Sequence, residues 1–112
     1  MVLIEATIKP FKLDDVKEAL EELGAGGMTV TEIMQSSTKV RGRSFGGNAG
    51  SSDLVPKIKV EIVAPRIMAE RIVEAILLHG NAGRAEDGRI VVEKVDATIR
   101  IRTGESDADA LS

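Results

Sequence analysis

Lys57-Ile58-Lys59-Val60-Glu61-Ile62-Val63 alternates charged and apolar residues without a break. Successive side chains of an extended strand point to opposite faces. Ile58, Val60 and Ile62 therefore share one face, and Lys57, Lys59 and Glu61 the other. Pro65 follows and suits a helix start, where a missing N–H costs nothing. Ala69, Ile72, Val73, Ile76 and Leu77 then recur at helical spacing, and Gly80 closes that stripe.

Upstream, Val2, Ile4, Ala6 and Ile8 alternate with Leu3, Glu5, Thr7 and Lys9. This is a second period of two, and Pro10 stops its ladder. Leu13, Val16, Leu20 and Leu23 mark a helix, with Lys17, Glu18, Glu21 and Glu22 on its other face. Asp14 and Asp15 suit the positive end of that helix, and Gly24 suits its C-cap. Met28 to Gln35 holds the β-branched run of a strand. Ile90 to Arg102 gives a last strand, with Ile99 and Ile101 opposite Arg100 and Arg102. The order is β-α-β-β-α-β. It predicts an α+β, ferredoxin-like fold: an antiparallel sheet with both helices on one face.

The chain has 112 residues, enough for a single domain over 1–112. A domain this small exposes much of its surface when alone, so an oligomer is expected. The net charge of −3 gives no drive toward nucleic acid. The absence of cysteine excludes disulfides and thiolate metal sites. Met1 to Ala6 shows no basic region followed by an apolar core, and no apolar run is long enough for a membrane span. A cytoplasmic protein without membrane insertion is expected. Phe11 and Phe45 are the only aromatic residues. No strand carries one, which removes the stacking platform that an RNA-recognition sheet of the same element order needs.

The connection between the second and third strands is anomalous. Hairpin loops usually run two to five residues, yet Thr38 to Val55 separates these strands. Gly42, Gly46, Gly47 and Gly50 with Ser44, Asn48, Ser51 and Ser52 predict a flexible segment. A long loop inside a small domain is commonly functional. Lys39, Arg41 and Arg43 place basic charge near its start, suited to phosphate or an acidic partner, or simply to solvent. Gly42-Arg43-Ser44-Phe45-Gly46 has the letters of a hydrolase nucleophile elbow, but it lacks the strand before and the helix after. No catalytic constellation is expected. His79 is the sole histidine and lies at a helix end, so no metal site is expected either.

Residues 80–89, Gly80-Asn81-Ala82-Gly83-Arg84-Ala85-Glu86-Asp87-Gly88-Arg89, join the second helix to the last strand. Their glycines let backbone N–H groups approach an anion. Arg84, Arg89, Arg100 and Arg102 add guanidinium groups whose planar forks suit phosphate oxygens. A charged outer sheet face beside an ordinary turn has the same spacing.

At this point whole blocks of the chain resemble the PII signal-transduction family. Lys9-Pro10-Phe11-Lys12-Leu13-Asp14-Asp15-Val16-Lys17-Glu18-Ala19-Leu20 is similar to its opening signature. Gly27-Met28-Thr29-Val30-Thr31-Glu32, the Pro56 to Val63 strand and Ile99-Arg100-Ile101-Arg102-Thr103-Gly104-Glu105 match further segments in order. The resemblance implies a non-catalytic homotrimer that binds ATP, ADP or AMP, with or without magnesium, in clefts between subunits. It implies that the 38–55 loop docks on a partner such as a membrane transporter or metabolic enzyme. By position, Gly27, Met28, Thr29, Glu61 and Val63 would surround adenine and ribose. Asp87, Gly88 and Arg89 would hold phosphates, and Arg100 and Arg102 would reach them from the neighbouring subunit. Lys39 and Lys57 fall at effector or loop-stem positions, and Arg41, Arg43, Ser44 and Phe45 in the docking loop; residues 103–112 form a tail.

Three departures from the family pattern stand out. The loop tyrosine modified in many members is absent. Lys39 replaces the loop glutamine used by members that sense 2-oxoglutarate; it offers magnesium no oxygen, which counts against that route. Glu86 replaces a glycine beside the Asp-Gly pair, bringing negative charge toward the outer phosphates. A preference for ADP or AMP over ATP is therefore expected. These departures leave open a regulator of inorganic carbon metabolism responding to bicarbonate and adenylates, and a ferredoxin-like metal-binding trimer behind it.

Overall fold

β1 (Val2–Ile8) is the strand around which the sheet is organised. In this computed structural model, which describes residues 1–25, 27–36, 54–84 and 88–106, it lies between two antiparallel partners. These are β3 (Leu54–Ala64) and β4 (Arg89–Lys94). β2 (Thr29–Ser36) pairs antiparallel with the other side of β3, giving the order β2-β3-β1-β4. The register sets Ile4 opposite both Ile62 and Val92. This is the expected ferredoxin-like arrangement.

The apolar face of the sheet supplies Val2, Ile4, Ala6, Ile8, Ile58, Val60 and Ile62 to one buried cluster. Val16 and Leu20 of α1 (Leu13–Glu22) and Ile72 and Ile76 of α2 (Arg66–Gly80) complete it. Full burial of a side chain such as Ile4, Leu20 or Ile72 stabilises by roughly 1.5–3 kcal/mol. The opposite face carries Leu3, Glu5 and Thr7 on β1, beside Val63, Glu61 and Lys59 on β3.

Local chemistry explains the element ends. Pro10 opens one turn of 3₁₀ helix, Pro10–Lys12, that leads into α1. At the other end of α1, Gly24 N–H bonds the Glu21 carbonyl and Ala25 N–H the Leu20 carbonyl, with Gly24 at φ +79°. This is a Schellman cap, as the glycine predicted. Pro65 is the N-cap of α2, and Met68 N–H returns to its carbonyl.

Two boundaries differ from expectation. Leu54 and Val55, read from sequence as loop, belong to β3, because pairing continues from Ile33–Lys57 through Met34–Pro56 to Ser36–Leu54. Pro56 is tolerated there because β1 ends opposite Ile58, so Pro56 has only β2 beside it. The rest of the 38–55 segment lies outside the described residues. The last strand, expected to run to Arg102, stops at Lys94. Lys94 pairs with Val2, and Val95 N–H takes the Met1 carbonyl.

Candidate functional site

Strand pairing carries the first group of predicted residues to the β2 edge of the sheet. Thr29 stands directly opposite Glu61, and the alternation puts Val63 on the same face as Glu61. Gly27 and Met28 lead into this edge. A cavity of about 470 Å³ opens beside them, lined by Gly27, Val63, Leu23, Pro65, Met68 and Ile72. Thr29 and Glu61 are not among its lining; their hydroxyl and carboxylate pair across the strands on the face away from the helices and suit a polyhydroxylated group.

The second group lies at the β4 edge. Arg89 opens β4 opposite Thr7, and Gly88 precedes it at φ +127°. A side chain at Gly88 would collide with the Thr7 carbonyl. A cavity of about 420 Å³ separates this corner from the end of α2; Thr7, Gly80, Arg84, Gly88 and Arg89 line it over an apolar floor. Asn81 shapes its rim: its Oδ1 accepts the Gly83 N–H at 2.6 Å, an Asx turn that leaves Gly83 at φ +78°. Two arginines and a glycine backbone make this corner an anion-accepting surface. Asp87 lies outside the described residues.

The third group is Arg100 and Arg102. The shared strand face expected for them does not form. Residues 101–103 turn, Gly104 at φ +77° reverses the chain, and Ile99 bridges to Ser106. The alternation of Ile99 and Ile101 misled here: Ile101 is fully exposed and packs on nothing in its own chain. Arg100 is partly covered and ion-paired to Glu105 at 3.2 Å, whereas Arg102 is exposed in the turn. Thr103 and Glu105, which the sequence reading did not single out, bond each other through side chain and backbone. Thr-Gly before an acid was the signal for a turn.

Lys57 is buried, 5% exposed, on β3 opposite Ile33. A cavity of about 570 Å³ adjoins it, lined by Pro10, Glu32, Met34, Pro56 and Ile58. Lys39, Arg41, Arg43, Ser44 and Phe45 lie outside the described residues, as does Glu86. His79 borders a shallow hollow between the helices with Glu22, Arg71 and Glu74. Among the described residues, no three His, Asp or Glu side chains are placed to hold a metal ion, and no helix is long and apolar enough to cross a membrane.

The two groups therefore lie toward opposite sides of the sheet, Thr29 on edge strand β2 with Glu61 and Val63 on the adjoining β3, and Arg89 on edge strand β4. Strand spacing separates Thr29 from Arg89 by about 14 Å.

The family model described as nitrogen regulatory protein P-II matches residues 1–105. The chain belongs to that family. Among its relatives, the nitrogen regulatory protein P-II of Rhizobium meliloti is 47% identical, covering 99% of this chain and 100% of the relative. The protein of the same name from Haemophilus influenzae is 41% identical with the same coverages. Nitrogen regulatory protein P-II 1 of Escherichia coli is 44% identical, again over 99% and 100%. P-II proteins are non-catalytic regulators, so the missing catalytic constellation needs no further account. The inorganic-carbon reading gains nothing from these three relatives, each named a nitrogen regulatory protein P-II. The P-II match also takes in Arg100 and Glu105 at its far end.

Proposed function

We propose that this P-II chain is a homotrimeric cytoplasmic signal-transduction protein. It binds ATP, ADP or AMP in clefts between subunits and reports the bound nucleotide to a partner protein through the 38–55 segment. One observation carries the reading: Thr29 of the adenosine-type group and Arg89 of the anion-type group stand on the two edge strands, β2 and β4, of one sheet. Edges of one sheet cannot meet within a chain, but the β2 edge of one subunit can face the β4 edge of the next in a closed ring.

On this reading Gly27, Met28, Thr29, Glu61 and Val63 contact base and sugar. Asp87, Gly88 and Arg89 contact the phosphates from the facing subunit. Arg100 and Arg102 join the phosphates from the base-binding side, and buried Lys57 serves the effector near the loop stem. The test is calorimetric titration of the full chain with ATP, ADP and AMP, with and without magnesium, 2-oxoglutarate or bicarbonate, alongside its native mass. A trimer binding about one nucleotide per chain is expected. A monomer, or a trimer that binds no adenine nucleotide, overturns the proposal.

A further inference from the structure

The turn after β4 is held by more contacts than its exposure explains. Arg100 N–H donates to the Glu105 carbonyl at 2.8 Å, and Gly104 N–H to the Arg100 carbonyl at 2.8 Å. The side chains repeat the link: Arg100 Nε lies 3.2 Å from Glu105 Oε1. The same Oε1 accepts the Thr103 hydroxyl at 2.8 Å, and the Thr103 oxygen accepts the Glu105 N–H at 3.2 Å. Thr103 thus fixes the carboxylate, and the carboxylate faces the guanidinium. The Nε atom is itself buried, and the approach is an ion contact rather than an aligned hydrogen bond.

A long arginine side chain at the surface ordinarily samples many rotamers, and ordering it on a ligand costs free energy. Here that ordering is done beforehand. Glu105 meets the guanidinium at the Nε edge, the edge nearest the backbone, and so is one of the contacts that orient it. We propose that Glu105, braced by Thr103, is a positioning residue that presets Arg100 for the phosphates of a bound nucleotide. This rests on the nucleotide-binding reading above. It goes beyond it by assigning a role to two residues that touch no ligand.

The sign of the effect separates this role from its rival. A carboxylate that merely sat near the site would repel phosphate, and its neutralisation would tighten nucleotide binding. A positioning carboxylate gives the opposite result. In the full chain, Glu105→Gln and Thr103→Val each weaken ADP binding by about three- to tenfold, the scale of one charge-assisted contact. Thr103→Ser keeps the hydroxyl and keeps the affinity. In an Arg100→Ala background, Glu105→Gln adds no further loss. Adenosine, which lacks phosphate, binds all variants as it binds the wild type. The Arg100 Nε–H NMR signal, sharp in the ligand-free wild type, broadens in Thr103→Val and not in Thr103→Ser.

Native mass and melting temperature show that the variants remain folded. Tighter or unchanged ADP binding in Glu105→Gln, equal losses for adenosine and ADP, or additivity with Arg100→Ala each overturns the positioning role while leaving the nucleotide site in place. A wild type that binds neither ADP nor ATP overturns both.

Discussion

The backbone at Gly88 passes so close to the Thr7 carbonyl that no β-carbon fits between them. Gly88 also has φ +127°, a conformation L side chains rarely adopt. This contact seats the residues before β4 on the end of β1, and so fixes where Arg89 begins. Gly88→Ala should therefore lower stability by about 2 kcal/mol or more and move the corner that Arg89 occupies. Gly83→Ala is the control. Gly83 has φ +78° but open space around its position, so only the left-handed penalty of about 1 kcal/mol applies. Thermal melts of both variants, with ADP titrations, check the ordering. Equal effects would show that the Thr7 approach is unimportant.

Most of the sheet was legible because its signals were redundant. Ile58, Val60 and Ile62 alternate, Gly24 caps α1, and Pro65 opens α2, each by a local rule that no distant contact overrode. The strand expected over Ile90–Arg102 failed for a non-local reason: its pairing with β1 runs only to Lys94 opposite Val2, with one further bond from Val95 N–H to the Met1 carbonyl. Ile99 and Ile101 show the right alternation, but alternation states only what a strand would do if one were there. The site was half legible. Residue types pointed to the phosphate-like group and the family resemblance to the base-like one, but only strand order reveals that Thr29 and Arg89 lie on opposite edge strands. Thr103 and Glu105 were invisible because their role depends on Gly104 reversing the chain.

If the site is shared between chains, defects in the parts contributed by different chains complement each other. Arg89→Ala and Arg100→Ala should each abolish most ADP binding when assembled alone. Co-expressed at equal amounts, they should form mixed trimers in which about one cleft in three receives two intact halves. Calorimetry on the mixed species, compared with a mixture of separately folded homotrimers, checks this. No recovery in mixed trimers of confirmed composition would mean that both arginines act from the same side of the cleft.

Glu86 sets the expected nucleotide preference. Its carboxylate stands one residue before the Asp87-Gly88 pair, and the repulsion it exerts grows with phosphate charge. Glu86→Gly should raise affinity for ATP about three- to tenfold relative to ADP, with a larger gain at low salt. AMP affinity should change least. A uniform change across the three nucleotides would trace the effect to loop conformation instead of charge.

The core gives a sharp contrast along one helix. Ile72 is fully buried on α2, while Ile67 is 87% exposed on the same helix. Ile72→Ala removes contacts with both the sheet and α1 and should cost about 2–5 kcal/mol. Ile67→Ala should change stability by no more than about 0.5 kcal/mol. Urea titration monitored by circular dichroism resolves the two. A large loss at Ile67 would reveal that this part of α2 is covered in the assembled protein.

Glu5 on β1 stands directly opposite Glu61 on β3, a cross-strand pairing of like charges that is destabilising by itself. Lys59, the next residue on that face of β3, lies 3.7 Å from Glu5 and offsets the repulsion. Both partners are about a third exposed, so screening by water keeps the pair modest. Lys59→Met should therefore cost about 0.5–1 kcal/mol at low salt and less at high salt. Glu5→Gln in the Lys59→Met background should recover most of that loss, because it removes the charge Lys59 was offsetting. A double-mutant cycle at two salt concentrations measures the coupling. A loss independent of salt and unrelieved by Glu5→Gln would assign Lys59 a packing role, its aliphatic stem covering the sheet rather than its charge balancing Glu5.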